Sequence, residues 1–199
     1  FARAVEGPVP GGNFLSLDKL ALDLYRSAHP ERVRLSRGAM SLIAAQSLAE
    51  LEEELLGVFG PLRSSRAFAR HLEEAIWDLK MEGEVETAEL LCADEALALA
   101  ARVREKVDET RELGLFDLSG AYLKFEPDGL RGYVRDRYGS RLFADGLADL
   151  SRAEMIFFSR LLPLFEGGVL TLDPALWDPC RLEEFLSLLE TRAEVGHIE

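Results

Sequence analysis

The chain has 199 residues, 48% hydrophobic and 30% charged, the balance of a globular protein with a buried core rather than of a disordered or fibrous one. An excess of 36 acidic over 23 basic residues gives a formal net charge of −13, so the surface as a whole repels phosphate and anionic lipid, and nucleic-acid binding must be local. Two cysteines are too few for a disulfide framework, and no apolar run is long enough for a membrane helix, so we expect a soluble, cytoplasmic protein.

The first predicted elements are a strand and a helix near the N-terminus. The alternating run FLSL at residues 14–17 predicts a short strand. Asp18 is the expected N-cap of a helix that carries Leu20 and Tyr25. His29 ends this helix, because a residue that precedes proline avoids the helical conformation.

Three longer helices are predicted in the middle of the chain, each with apolar residues recurring at threes and fours. Because each helix must hide an apolar stripe from water, we expect residues 31–125 to pack as a helical bundle. The predicted helices run from Ser36 through Leu55, from Ser64 or Ser65 to about Gly83, and from Asp94 to about Glu112.

The last third of the chain predicts two strands with a helix between them. The strands are the apolar runs at residues 142–144 and 169–172. Ser151 and Glu154 have the spacing of a capping box that begins the intervening helix. The order strand, helix, strand normally means neighbouring parallel strands. A final helix carries an apolar stripe at residues 182–189.

Together these elements predict an α/β fold that is predominantly helical. Residues 1–30 and 139–199 are expected to form one small α/β piece. In it, the strand at residues 14–17 joins the same parallel sheet as the strand at residues 169–172. Residues 31–138 then protrude from this piece as an inserted helical subdomain.

Two carboxylates, Asp145 and Asp149, follow the predicted strand 142–144, where open α/β sheets bind their ligands. They are the candidate cofactor residues, because two carboxylates there could hold Mg²⁺ beside a nucleotide. The alternative is a turn in which both side chains accept hydrogen bonds from local backbone N–H groups. A magnesium-dependent hydrolase ranks last, because no nucleophile, third ligand or phosphate-binding loop motif is evident in the sequence.

A basic and aromatic cluster lies between residues 131 and 141, where four arginines oppose one aspartate and two tyrosines lie among them. Guanidinium groups and aromatic rings together suit single-stranded nucleic acid, so this segment is the candidate DNA-binding surface. The alternative is that the arginines pair with the many carboxylates of the chain. The candidate residues are Arg131, Tyr133, Arg135, Arg137 and Arg141.

Two other features have a structural interpretation. A smaller basic cluster at residues 63–70 is expected to pair with Glu73 and Glu74 on the following turn. Trp177 lies beside an apolar stripe, where we expect it to pack.

Four short stretches follow the order and character of segments in a known family. They are FLSLDKLA at residues 14–21, RAFAR through WDLKMEG at 66–83, ELGLFDL at 112–118, and FADGLADLS at 143–151 followed by Glu154. In these stretches the chain resembles the N-terminal, helicase-like region of the AddB/RexB-type proteins, which are subunits of the ATP-dependent helicase/nucleases and are associated with PD-(D/E)XK exonucleases.

This resemblance implies a sheet of the P-loop, helicase-like type and a segment of a longer protein that processes DNA ends in double-strand break repair. It also implies a partner helicase/nuclease subunit, with ATP and Mg²⁺ in the full-length protein and Asp145 and Asp149 as the remnant nucleotide site. Gly146 takes the place of the glutamate that activates water in an active helicase, which implies that ATP turnover is lost and DNA handling is kept.

The leading hypothesis is therefore a DNA-binding or scaffolding segment that needs no cofactor of its own. The alternative is an acidic helical module that binds a protein partner and no nucleic acid.

Overall fold

A computed structural model describes residues 15–82, 95–109 and 114–190, and this part of the chain is mostly helical. None of its helices is long and apolar enough to cross a lipid bilayer. The helices are α1 (Leu17–Ala28), α2 (Arg37–Glu50), α3 (Glu53–Leu56), α4 (Arg66–Met81), α5 (Glu95–Glu109), α6 (Leu118–Leu123), α7 (Arg131–Tyr138), α8 (Arg152–Leu161) and α9 (Pro179–Glu190). The strands are β1 (Val33–Arg34), β2 (Leu115–Phe116), β3 (Arg141–Leu147) and β4 (Gly167–Leu172), and 3₁₀ turns span Gly57–Leu62, Leu162–Leu164 and Pro174–Leu176.

The described residues fall into two compact units. The terminal unit comprises residues 15–28, 125–150 and 155–190, and the central unit comprises residues 29–82, 95–109, 114–124 and 151–154. Each unit has a two-stranded parallel sheet, β1–β2 in the central unit and β3–β4 in the terminal unit. The predicted α/β, predominantly helical class is confirmed, whereas the P-loop type of sheet stays a prediction.

The central unit is a helical bundle in which α2, α4 and α5 pack against one another. Two predicted N-caps are confirmed: the Ser36 hydroxyl accepts the Ala39 N–H at 3.2 Å, and the Ser65 hydroxyl accepts the Phe68 N–H at 3.3 Å. The apolar stripes meet in one core. Its buried members are Met40, Ala44, Leu48, Leu51, Leu56, Leu72, Ile76, Leu79, Leu99, Ala100, Ala101 and Val103.

Helix α2 ends at Glu50, although its apolar stripe predicts a helix through Leu55. Leu51 is extended, and the chain starts the separate short helix α3 two residues later. The Arg63 guanidinium donates hydrogen bonds to the carbonyl oxygens of Ala49 and Leu51, the second at 2.7 Å. Arg63 therefore satisfies carbonyl groups at the end of α2. The sequence predicts a different partner for it, Glu73 or Glu74 on α4.

A buried ion pair joins the last turn of α4 to the start of α6. Lys80 Nζ lies 3.3 Å from Asp117 Oδ2, and the two side chains are only 4% and 5% exposed. The other carboxylate oxygen of Asp117 accepts the Ser119 hydroxyl at 2.8 Å and the Gly120 N–H at 2.7 Å, so the same residue is the N-cap of α6. Asp117 follows β2 directly, so this one residue links the end of β2, the last turn of α4 and the start of α6.

The terminal unit follows the predicted order of strand, helix and parallel strand, with β3, α8 and β4 in sequence. The register places Leu142 beside Gly168 and Ala144 beside Leu170. Glycine is required at position 168, because a Cβ there would collide with the Leu142 carbonyl oxygen. One face of the sheet packs into a core whose buried members are Leu150, Met155, Phe158, Trp177, Phe185 and Leu189.

The predicted capping box is confirmed at the start of α8. The Ser151 N–H and hydroxyl both donate to Glu154 Oε2, at 2.8 and 2.6 Å, and the Glu154 N–H donates back to the serine hydroxyl at 3.4 Å. This reciprocal pair satisfies backbone donors that the first turn of a helix leaves without partners.

The strand predicted at residues 14–17 does not form at residues 15–17, and Phe14 lies outside the described residues. Leu17 is the first residue of α1, and the Ser16 hydroxyl accepts the Lys19 N–H at 3.3 Å, so Ser16 takes the capping role predicted for Asp18. The physical reason is the apolar spacing after Ser16, which fits a helix better than a strand. The residues of α1 buried by this spacing are Leu20, Ala21, Leu24 and Tyr25.

The expectation of one sheet that joins both ends of the chain is therefore wrong. Within the described residues β4 pairs with β3, while the second sheet, β1–β2, was not predicted at all. Its register is Val33 with Leu115 and Arg34 with Phe116. Two-residue strands of this kind leave no periodic signal in a sequence, because alternation needs four or more residues to be visible.

We expect Asp117→Ala to lower the free energy of unfolding by about 3–5 kcal/mol, because it removes the buried carboxylate beside Lys80 and the N-cap of α6 together. Urea denaturation followed by circular dichroism measures this change. The matched control, Asp78→Ala, removes an exposed carboxylate from α4 and should stay within about 0.5 kcal/mol of the unchanged protein. A loss from Asp117→Ala no larger than that of the control would contradict the stabilising role of the pair.

Candidate nucleic-acid interface

The arginine surface comprises Arg131, Tyr133, Arg135, Arg137 and Arg141, which lie on α7 and at the first residue of β3 in the terminal unit. All four of its arginines are exposed. The fully buried Val134 anchors the helix between them. Gly139 ends it with a φ of 92° and donates its N–H to the Arg135 carbonyl at 3.1 Å, a left-handed termination that favours glycine.

Arg137 lies over two aromatic rings. Its guanidinium carbon is 6.0 Å from the centre of the Tyr133 ring and 5.8 Å from that of Tyr138. The two rings meet edge to face, with centroids 6.3 Å apart. Because an aromatic face attracts a cation, this arrangement holds the Arg137 charge in one place at the protein surface.

Asp23 of α1 ties this group to the rest of the terminal unit. The Tyr138 hydroxyl donates to Asp23 Oδ2 at 3.2 Å, and Arg137 Nη2 lies 3.9 Å from the same oxygen. The Arg137 Nε–H in turn donates to the Tyr138 hydroxyl oxygen at 3.3 Å. Asp23 was missed at the sequence level, since no local pattern connects positions 115 residues apart.

At neutral pH, the protonation states of Tyr138 and Arg137 are those that these hydrogen bonds require. Burial raises the pKa of Tyr138 to about 12, outweighing the hydrogen bond from Arg137, which lowers it. The hydrogen bond to Tyr138 and the nearby tyrosines raise the pKa of Arg137. Tyr138 therefore stays a neutral hydroxyl that donates to Asp23, and Arg137 stays a cation.

The remaining arginines have weaker ties. Arg131 donates to the Pro163 carbonyl oxygen at 2.7 Å, which uses only part of its hydrogen-bonding capacity. Arg135 Nε lies 3.6 Å from Asp136 Oδ1, an exposed ion pair of the kind that contributes little to stability. The salt-bridge alternative thus describes part of the surface, because Asp136 lies beside Arg135 and Asp23 lies beside Arg137.

Asp145 lies at the end of the parallel strands, as the sequence predicts, but inside β3 rather than after it. The register shifts between Ala144 and Leu147, which marks a bulge. Within it Gly146 has a φ of 67° and donates its N–H to the Thr171 hydroxyl at 3.1 Å, and that hydroxyl donates to the Asp145 carboxylate. The Asp145 carboxylate therefore helps to close the bulge through a side chain on β4, and not through the local backbone N–H groups of the turn alternative.

Asp149 is exposed and has a left-handed φ of 47°, which aspartate tolerates better than most residues. The residues that the structure describes contain no group of three or more histidine, cysteine, aspartate or glutamate side chains placed to hold a metal ion. Magnesium or nucleotide binding at Asp145 and Asp149 stays a prediction. Thr171 was missed at the sequence level, and the Asp-Gly pair facing it was the available signal for a bulge.

Trp177 has the packing role that the sequence predicts. It is buried, and its ring stacks on Phe185 with centroids 5.3 Å apart. Its indole N–H donates to the Leu147 carbonyl oxygen at 2.8 Å, which holds the end of β3 after the bulge.

Comparison with protein-family models, curated proteins and solved structures finds no significant match for this chain. The resemblance to the AddB/RexB-type proteins stays a prediction, and the strand it places at residues 14–17 is absent at residues 15–17. Function is therefore argued from the arginine surface itself.

We expect Tyr138 to titrate about two pH units above an ordinary tyrosine, with a midpoint near 12 instead of 10. Folding stabilises its neutral form, so this contribution to stability is fully present below pH 10 and is lost as the pH rises through about 12. Subtracting the tyrosinate absorbance titration of Tyr138→Phe from that of the unchanged protein isolates this one group, with circular dichroism to verify that both stay folded. A difference curve centred near pH 10 would contradict the burial of the Tyr138 hydroxyl beside Asp23.

Proposed function

We propose that the terminal unit binds single-stranded DNA through the arginine surface and performs no catalysis there. The observation that carries this proposal is a cluster of four exposed arginines and two tyrosines within eleven residues of a chain whose net charge is −13. Because the chain is acidic on average, the rest of its surface repels phosphate. A local basic segment is therefore the place where a nucleic acid would be attracted.

The exposed guanidinium groups suit the phosphate backbone. Among the described residues, the ion-pair partner of Arg135 is the exposed Asp136, which a phosphate can replace at low cost. Arg137 is already held by two rings and Asp23, so little side-chain entropy is lost when it meets a phosphate. Tyr133, which is half-buried, offers an aromatic ring on which a base can stack.

Contacts to the phosphate backbone of DNA carry no information about its base sequence. The proposed activity is therefore binding without strong preference for a base sequence. It is also salt-dependent, because each arginine that meets a phosphate releases condensed counterions.

The resemblance to the AddB/RexB-type proteins would extend this proposal to a cytoplasmic DNA-end-processing assembly with a partner helicase/nuclease subunit, and to ATP and Mg²⁺ in a longer protein. Binding by the arginine surface does not depend on that extension.

We expect the unchanged protein to bind a labelled thymidine oligonucleotide at low salt, with affinity that falls as salt rises. For single strands the slope of log affinity against log salt is about 0.7 per phosphate contact, so the variant with both Arg135→Ala and Arg137→Ala should lose about 1.4 from the slope. Tyr133→Ala should weaken binding by roughly 1–3 kcal/mol, because it removes a stacking ring, and leave the slope unchanged, because Tyr138 and Asp23 still hold Arg137. Fluorescence anisotropy across a salt series measures both quantities.

The matched control is Arg70→Ala, which removes an exposed arginine that is paired with Glu74 at 3.7 Å on α4. This variant should bind as the unchanged protein does. Binding that is absent at low salt, or that is indifferent to the changes in the arginine surface, would overturn the proposal and favour the alternative of an acidic protein-binding module.

A further inference from the structure

The outer face of the β3–β4 sheet carries two exposed apolar side chains. Side chains alternate along β3, so Leu142 and Ala144 pack toward the core while Phe143 lies on the opposite face. Phe143 is 69% exposed, and Val169, its direct neighbour in the register, is 44% exposed. An exposed phenylalanine paired with an exposed valine is unusual in a parallel sheet, because such sheets are normally covered on both faces.

The outer edge of β3 faces no other strand in the described part of the chain. Within the described residues β3 pairs with β4 alone. The Glu166 N–H donates to the Ser140 carbonyl at 2.8 Å at the start of this pairing. Since backbone groups alternate in direction along a strand, the N–H and carbonyl of Phe143 point away from β4, toward the outer edge.

The residues on this outer face form a self-complementary series. Arg141, Phe143 and Asp145 follow one another at every second position, so a cation, an apolar ring and an anion are evenly spaced along the strand. When a strand pairs antiparallel with a copy of itself about a two-fold axis at Phe143, Arg141 lies opposite the partner's Asp145 and Phe143 lies opposite the partner's Phe143. Two opposite-charge pairs and one aromatic pair then form at once.

We propose that two copies of this chain associate through the outer edges of β3, giving a four-stranded sheet in the order β4, β3, β3, β4. A two-fold interface uses the same patch on both copies, so it must be complementary to itself, and the series on β3 meets this condition. The bulge at Asp145 and Gly146 limits the new pairing to residues 141–145. The proposal does not rest on DNA binding: it gives Arg141 of the arginine surface a partner in the second copy and leaves Arg131, Arg135 and Arg137 to meet phosphate.

Charge reversal on each side tests this pairing directly. Arg141→Glu places two carboxylates opposite each other, and Asp145→Arg places two guanidinium groups opposite each other, so either variant alone should weaken association about tenfold or more. In an equimolar mixture of the two variants, each introduced charge meets the opposite charge of the other copy, and association should return. Sedimentation velocity of the full chain over a range of concentrations, after nuclease treatment, measures this.

The control variants Arg26→Glu and Glu183→Arg reverse exposed charges on α1 and α9, outside the sheet, and should associate as the unchanged protein does. If Asp145→Arg does not fold, because its bond with Thr171 is lost, then Arg141→Glu is compared with the conservative Arg141→Lys, which should keep association. A chain that stays monomeric at all concentrations, single variants that associate normally, or a mixture that fails to associate would each overturn the proposal.

Discussion

The parallel hydrogen-bond ladder between β3 and β4 is the constraint on which the terminal unit depends. The Glu166 N–H donates to the Ser140 carbonyl at 2.8 Å directly after α7, and the Trp177 indole holds the Leu147 carbonyl at the far end. Because side chains alternate along a strand, this one register decides which residues of β3 enter the core and which remain outside. Gly139 ends α7 directly before this ladder, so the arginine surface and Phe143 lie on either side of its start.

Elements with local causes could be predicted from the sequence. Ser36 and Ser65 cap their helices, and the Ser151 and Glu154 capping box begins α8, because a cap needs only residues within one turn. The βαβ order of the last third followed from two apolar runs with a capped helix between them. Leu17 shows where this reasoning fails, because it fits the alternation of a strand and also the spacing of the helical stripe that α1 buries.

Features that join distant parts of the chain could not be predicted. Lys80 and Asp117 form a buried ion pair across 37 positions, and neither position carries a local sign of burial. The arginine surface was visible as a composition change, yet its central contact, Asp23 with Tyr138 and Arg137, spans more than a hundred positions. That contact bears on the proposed function, because Asp23 both positions the Arg137 cation and offsets part of its charge.

The most direct measurement of the central claim is a titration of the isotope-labelled protein with a thymidine oligonucleotide, followed by nuclear magnetic resonance at low and high salt. The account predicts that the largest shifts at low salt fall on residues 131–138, including the side-chain Nε–H groups of Arg135 and Arg137, and that they disappear at high salt. Shifts confined to other parts of the chain, or none at low salt, would contradict it.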